Sequence, residues 1–197
     1  MKPIKIPIIF FSLVFASSVF AQSFRSGSEP NGFRNLQWGT QLSTLSEMKY
    51  SKTSKAGGSF PVGTDSSLFY LDIYSKIGDE LKVEGVKVER IEYGFWKGKF
   101  CEVTITLTSN TNWLSLKKTI FSRFGKGKVG KIPTFCSTFG LGELEWHVWL
   151  GKITEMDLFY NEIPEIRELW MGSTELREKA LKEFEQEQRR WKQVNLH

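Results

Sequence analysis

The chain has 197 residues, of which 14% are aromatic and 25% charged. This composition carries too much apolar surface for an intrinsically disordered protein, and a single long apolar run argues against a polytopic membrane protein. The formal net charge is +5, and the basic residues form no long run. Nucleic acid and anionic lipid are therefore disfavoured as partners.

The first 21 residues have the pattern of a secretory signal peptide. Lys2 and Lys5 form a positive start, an apolar run covers residues 6–15, and small residues at Val19 and Ala21 suit a cleavage site. An uncleaved anchor helix is the alternative, but the apolar run is short for a membrane span. We predict cleavage after Ala21, a periplasmic or secreted protein, and no transmembrane span in the mature chain.

Export changes the interpretation of the two cysteines, Cys101 and Cys136. In an oxidising compartment they are the only possible partners for each other, so we predict a disulfide between them. Closing this loop would stabilise the fold by about 3–4 kcal/mol. Two buried thiols are the alternative that a cytosolic protein would favour.

Turn residues and apolar patterns divide the mature chain into elements. Residues 22–32 predict a flexible lead-in to one α+β domain at 33–172. A short helix is expected at 40–48 and a loop at 51–63. The predicted strands are 68–74, 81–83, 87–96, 100–108, 144–150, 153–160 and 165–171.

Two helices have clearer patterns. Within residues 112–124, Trp113, Leu116 and Ile120 share one helical face, and Gly125 suits the end of a helix. The C-terminal segment 173–197 predicts an amphipathic helix from residue 174 to about 195. Its apolar stripe is narrow, so we expect it to dock on the edge of the domain or on a partner.

Residues 91–105 and 144–158 can be aligned as an internal repeat. Five of fifteen positions are identical, and each copy predicts a β-hairpin with a three-residue loop centred on Gly98 or Gly151. A helix is predicted before each hairpin. The expected fold is an antiparallel sheet built from two helix-plus-hairpin units, with the helices on one face and a C-terminal helix. Chance similarity between two hairpins is the alternative.

Four motifs stand out in the mature chain. They are F-R-x-L-x-W-G-T at 33–40, G-D-E-L-K at 78–82, I-E-Y-G-F-W-K-G-K-F at 91–100 and F-G-K-G at 124–127. On these motifs the chain resembles a family of uncharacterised exported proteins of Gram-negative bacteria, over most of residues 33–160. The resemblance implies export and a repeated α+β unit, and it brings no activity and no catalytic residues.

Catalytic chemistry has one weak set of candidates. The expected register places His147, Glu155, Glu145 and Asp157 on one face of the second hairpin, where they could supply an acid and a base or bind a cation. A solvated, charged sheet face is the alternative that we favour. The sequence has neither an H-E-x-x-H motif nor a Gly-rich phosphate loop, so we predict no metal and no cofactor.

The hairpin tips are the preferred binding site. Trp96 lies beside Lys97 and Lys99, and Trp149 lies near Lys152, a composition typical of an interface anchor or a sugar-stacking platform. In the alternative, the C-terminal helix covers both rings as ordinary core.

The sequence therefore favours an exported, non-enzymatic binding protein that recognises an envelope protein or glycan. A hydrolase that uses the carboxylate and His face is one alternative. A carrier of a small ligand, with a pocket between the sheet and the helices, is the other.

Overall fold

The structure, a computed structural model, describes residues 24–56, 69–129, 144–162 and 165–195. The predicted signal peptide, residues 1–21, lies outside these ranges, as does Cys136. Within them the chain is mostly β, with one eight-stranded antiparallel sheet, two two-stranded sheets and two α-helices. None of the described helices is both long and apolar enough to span a membrane.

The elements follow one another along the chain as β1 (Gly32–Phe33), β2 (Leu36–Gln37), a 3₁₀ turn (Leu42–Thr44), β3 (Met48–Lys55), β4 (Tyr70–Lys76), β5 (Lys82–Val83), β6 (Val86–Lys87), β7 (Arg90–Trp96), β8 (Lys99–Thr106), α1 (Asn110–Phe124), β9 (Lys128–Val129), β10 (Leu144–Leu150), β11 (Thr154–Asn161), β12 (Ile166–Ser173) and α2 (Thr174–Asn195). The large sheet has the strand order β3-β4-β7-β8-β12-β11-β10-β9. The small hairpins β1–β2 and β5–β6 lie outside it.

Helix α1 forms where the sequence predicts it. The Ser109 side chain caps its start by accepting a hydrogen bond from the backbone N–H of Asn112. Gly125, with a φ of 87°, ends it, and its N–H donates to the Phe121 carbonyl. The apolar face is buried against the sheet through Trp113, Leu116, Ile120 and Phe124.

The two helices cover opposite faces of the sheet. The side that packs on α1, which we call the α1 face, carries the larger apolar core. The opposite side, the α2 face, packs Leu71 and Ile73 of β4 against Leu176 and Ala180 of α2. The prediction that the helices of two helix-plus-hairpin units share one face is wrong, because only α1 of the two expected helices forms.

The predicted α+β class with two helix-plus-hairpin units is also wrong. The expected helix at 40–48 is only the 3₁₀ turn Leu42–Thr44, and the expected loop at 51–63 overlaps the edge strand β3. Leu42 and Leu45 still pack on the core, which explains the apolar period that suggested a helix. A single turn is enough to bury them.

The two hairpins differ in their position in the sheet and in the backbone conformation of their turns, since only the first turn has positive φ angles, so the structure shows no repeat. The hairpin β7–β8 lies in the middle of the sheet, whereas β10–β11 lies near one end. The first turns through Lys97 and Gly98, whose φ angles of 49° and 72° suit a two-residue turn. In the second, Gly151 N–H donates to the Thr154 carbonyl over 3.0 Å, which also leaves two residues in the loop. The predicted three-residue loops are wrong.

A β-bulge in the first hairpin determines on which face of the sheet the side chains at the start of β8 lie. Gly94 pairs with Glu102 and Phe95 with Phe100, so Cys101 is an additional residue in β8. As a result Cys101 packs in the α2-face core and the neighbouring Glu102 contacts Arg177 of α2. Two consecutive side chains thus lie on the same face.

The predicted disulfide is wrong, because Cys101 is a free thiol. Its side chain has no exposed surface and packs with Leu176 and Ala180 under α2. Burial raises its pKa well above the ordinary value, so the thiolate is disfavoured. Cys136 lies outside the described residues.

Alkylation should report this burial directly. We expect iodoacetamide to leave Cys101 unmodified in the native protein, and to modify it after denaturation without any reductant, because no disulfide has to be broken. Mass mapping of the peptide that contains Cys101 measures both states. A peptide that links Cys101 to Cys136 in a non-reducing digest would contradict the free thiol.

Candidate functional site

The four residues predicted to share one sheet face are divided between two. His147 pairs with Leu158, not with Glu155 as the expected register required. The shift moves the partner by an odd number of residues, which sends the two strands' polar side chains to opposite faces. Glu145 and His147 lie on the α1 face, and Glu155 and Asp157 lie on the α2 face.

On the α1 face, His147 and Glu145 form a small polar group beside α1. The His147 Nε2 lies 2.6 Å from Glu145 Oε1, and the imidazole packs edge-on against Phe121 at 4.8 Å. Burial raises the pKa of Glu145, but hydrogen bonds from Lys117 and His147 outweigh it and lower the pKa overall. The ion pair between Lys117 of α1 and Glu145 of β10 therefore ties the strand to the helix.

On the α2 face, three carboxylates surround one guanidinium. We call Glu102, Glu155, Asp157 and Arg177 the acidic cluster. Arg177 Nη1 lies 3.6 Å from Glu102 Oε2, and Arg177 Nε lies 3.4 Å from Glu155 Oε2. The guanidinium also stacks on Trp170, 4.3 Å from the ring centroid.

Burial dominates the ionisation of the acidic cluster. It raises the pKa of Glu102 to about 7 and that of Asp157 to about 7, although Arg177 lowers both. Hydrogen bonds from Trp170 to Glu102 and from Trp146 to Asp157 also favour the ionised forms. Both carboxyls are at most 6% exposed, so they are poorly placed to meet a substrate. Their effect is on the stability of the contact between α2 and the sheet.

The hairpin tips do not form matching binding sites. Trp149 is fully buried, and its indole N–H donates to the Gly125 carbonyl over 3.2 Å. Its ring packs on Gly127, where a Cβ would come within 2.7 Å of it. Lys152 is exposed at this turn, but it has no exposed ring beside it.

The tip of the first hairpin is partly covered by α2. Trp96 is half-buried in the α2-face core, with the Lys97 ammonium 5.3 Å from its ring centroid. Lys97 is held by an ion pair with Glu183 of α2, and Lys99 is exposed. At this tip one partly buried ring and two lysines remain accessible.

A cavity of about 520 Å³ opens on the α1 face, at the C-terminal end of α1. We call it the α1 cavity. Its floor is apolar and consists of Ile120, Phe124, Leu169 and Met171, all of which are at most 5% exposed. The hairpins β1–β2 and β5–β6 form two walls, and Arg34, Lys82, Glu84 and Arg123 carry the charges of its lining.

Two arginines hold the walls of the α1 cavity in place. Arg34, in the turn of β1–β2, donates hydrogen bonds to Asp79 and to the carbonyls of Glu80 and Lys82. Arg123 of α1 forms an ion pair with Glu84 in the turn of β5–β6. Hairpins this short are marginal alone, so the hydrogen bonds of Arg34 hold the two hairpins together, and the exposed pair of Arg123 with Glu84 adds less.

Comparison of the chain with protein families, curated proteins and solved structures gives no match. The resemblance to exported proteins of Gram-negative bacteria stays a prediction.

Removing the cation of the acidic cluster should be costly. We expect Arg177→Met to lower the free energy of unfolding at pH 7.5 by about 3–5 kcal/mol, because buried carboxylates then lose their compensating charge. The matched control is Arg189→Met on the same helix, whose ion pair with Glu185 is exposed and should contribute less than about 0.5 kcal/mol. Urea unfolding measures both. Equal effects would show that the cluster is not desolvated.

Replacing the buried acids with neutral residues should raise the free energy of unfolding at high pH, which is the opposite of the effect expected for Arg177→Met. The folded pKa values of Glu102 and Asp157 lie near 7, above the ordinary 4.5 and 3.8, so between about pH 4 and 7 the folded chain retains protons that the unfolded chain releases. Their contribution to stability is present below about pH 4 and is lost as the pH rises through 7.

We therefore expect the double variant Glu102→Gln/Asp157→Asn to be more stable than the wild type at pH 8. The difference should be several kcal/mol, since each tenfold change in an acidity constant is about 1.4 kcal/mol. Urea unfolding from pH 4 to 8 should give a flatter profile for this variant, while the exposed control Glu178→Gln keeps the wild-type slope. A double variant with the wild-type slope would contradict the raised pKa values.

Proposed function

We propose that the protein is an exported, non-enzymatic binding protein that takes a small ligand with an apolar part into the α1 cavity. The observation that carries this proposal is the cavity itself. Its volume of about 520 Å³ falls in the range of roughly 300–1,000 Å³ that is usual for small-molecule sites. The signal-peptide pattern of residues 1–21 supports export.

The floor of the α1 cavity suits an apolar group. Leu169 and Met171 belong to β12, one of the two middle strands of the sheet. Backbone pairing with β11 on one side and β8 on the other holds them in place. The floor residues expose little area themselves, so the gain of about 25 cal/mol for each Å² removed from water comes mainly from the ligand's own apolar surface. The polar groups of the walls can fix the orientation of the ligand, as they usually do in pockets with an otherwise apolar lining.

The other two functions have less support. A hydrolase would require His147 and Glu155 together, but the sheet separates them. Recognition of an envelope protein or glycan through both tips would require an exposed Trp149, and this ring is fully buried. We therefore prefer the ligand carrier, which the sequence offered as an alternative.

A neutral fluorescent probe tests the proposal. We expect residues 22–197 to bind N-phenyl-1-naphthylamine in a 1:1 complex, with a rise in fluorescence as the probe leaves water. Leu36→Trp, in the wall formed by β2, should abolish the signal by filling the cavity, and Val83→Phe should do the same from the opposite wall.

The control places the same substitution elsewhere. Leu114 is exposed on α1 and does not line the cavity, so Leu114→Trp should bind the probe as the wild type does. Circular dichroism and thermal unfolding confirm that each variant is folded. Absence of binding by the wild type, or unchanged binding in both wall variants, would refute the proposed site.

A further inference from the structure

We propose that the ligand of the α1 cavity is an amphipathic anion, whose apolar part covers the floor while a carboxylate or phosphate head lies between Lys82 and Arg123. This inference rests on the proposed function. It is carried by the balance of charge in the cavity lining, which contains three cations, Arg34, Lys82 and Arg123, and one anion, Glu84.

The three cations are not equally available. Arg34 donates to Asp79 and to two backbone carbonyls, so its guanidinium is occupied in holding the walls together. A ligand that displaced it would also have to open the cavity. Arg34 is therefore part of the wall and not the expected partner of the head group.

Arg123 is held more weakly. Its ion pair with Glu84 joins two exposed side chains, with 56% and 34% of their surfaces accessible. Exposed pairs of this kind contribute little to stability, so an anion bound nearby can share or replace Glu84. A guanidinium also suits a planar or tetrahedral oxyanion, because it can donate two parallel hydrogen bonds.

Lys82 supplies the surplus charge. It lies in β5 at the rim of the cavity and is exposed, and within the described parts of the chain no acidic side chain forms an ion pair with it. The lining therefore has an excess of positive charge at the rim and an apolar floor below. A ligand with one negative charge at one end matches both.

The C-terminal end of α1 is compatible with an anionic head group at the rim of the α1 cavity. A helix C-terminus carries partial negative charge on its last carbonyls. Here the Phe121 carbonyl accepts a hydrogen bond from Gly125 N–H, and the Phe124 carbonyl accepts one from Arg25 N–H, each over 3.0 Å. These bonds reduce the repulsion that an anion at the rim would meet.

Competition against bound N-phenyl-1-naphthylamine tests the charge preference. The competitors share a twelve-carbon chain and differ in the head: dodecanoate, dodecyl phosphate, dodecanol and dodecyltrimethylammonium, each below its critical micelle concentration. We expect at least one of the anions to displace the probe at about tenfold lower concentration than dodecanol, and the cation to compete least. Whichever anion competes better identifies the head as carboxylate or phosphate.

A pair of lysine variants locates the head group. Lys82→Gln should bring the better anion to within about threefold of dodecanol. Lys87→Gln removes the same charge from the paired strand β6 but lies outside the cavity lining, so it should keep the full preference. Lys87→Gln should also bind the neutral probe as the wild type does.

The outcomes separate this inference from the proposed function. If the neutral probe binds and dodecanol competes as well as both anions, the cavity is a binding site but the anionic head is refuted. If Lys82→Gln and Lys87→Gln weaken anion binding equally, the effect is general charge and the assigned position is refuted. If the neutral probe does not bind the wild type, the proposed function itself fails.

Discussion

The pairing of β12 with β8 joins the strands that precede α1 to those that follow it. Five residues of each strand are paired, with Met171 opposite Val103 and Trp170 opposite Thr104. Alternate residues of β12 point to opposite faces. Met171 contributes to the floor of the α1 cavity, and Trp170 stacks on Arg177 in the acidic cluster. One strand pair therefore supports both the apolar site and the charged contact with α2.

The two faces of the sheet are covered by different chemistry. The α1 face is an apolar core, and burial of its side chains is favourable without further compensation. On the α2 face, burial of Glu102 and Asp157 is unfavourable when they are ionised, and the single guanidinium of Arg177 compensates only in part. The contact of α2 with the sheet thus becomes weaker as the pH rises through 7, and the cavity lies on the opposite face.

Local patterns predicted single elements better than their arrangement. The bounds of α1 and β10 follow from apolar spacing and from Gly125. The register of the second hairpin was wrong because the alternation of Leu144, Trp146 and Val148 indicated the core face, whereas the two-residue turn after Gly151 places His147 and Trp149 there. The α1 cavity could not be predicted, since its lining comes from segments far apart in sequence. The free thiol of Cys101 was not predicted, because the cellular compartment and the number of cysteines do not give the distance between Cys101 and Cys136.

The outer strands of the sheet bear on how the protein behaves at high concentration. Unpaired strand edges are templates for association between chains, and natural sheets protect them with lysines, irregular pairing or short length. The edge strand β3 carries Lys49 and Lys52 and has an irregularity between Tyr50 and Lys52. This edge of the sheet is thus poorly suited to growth by strand addition.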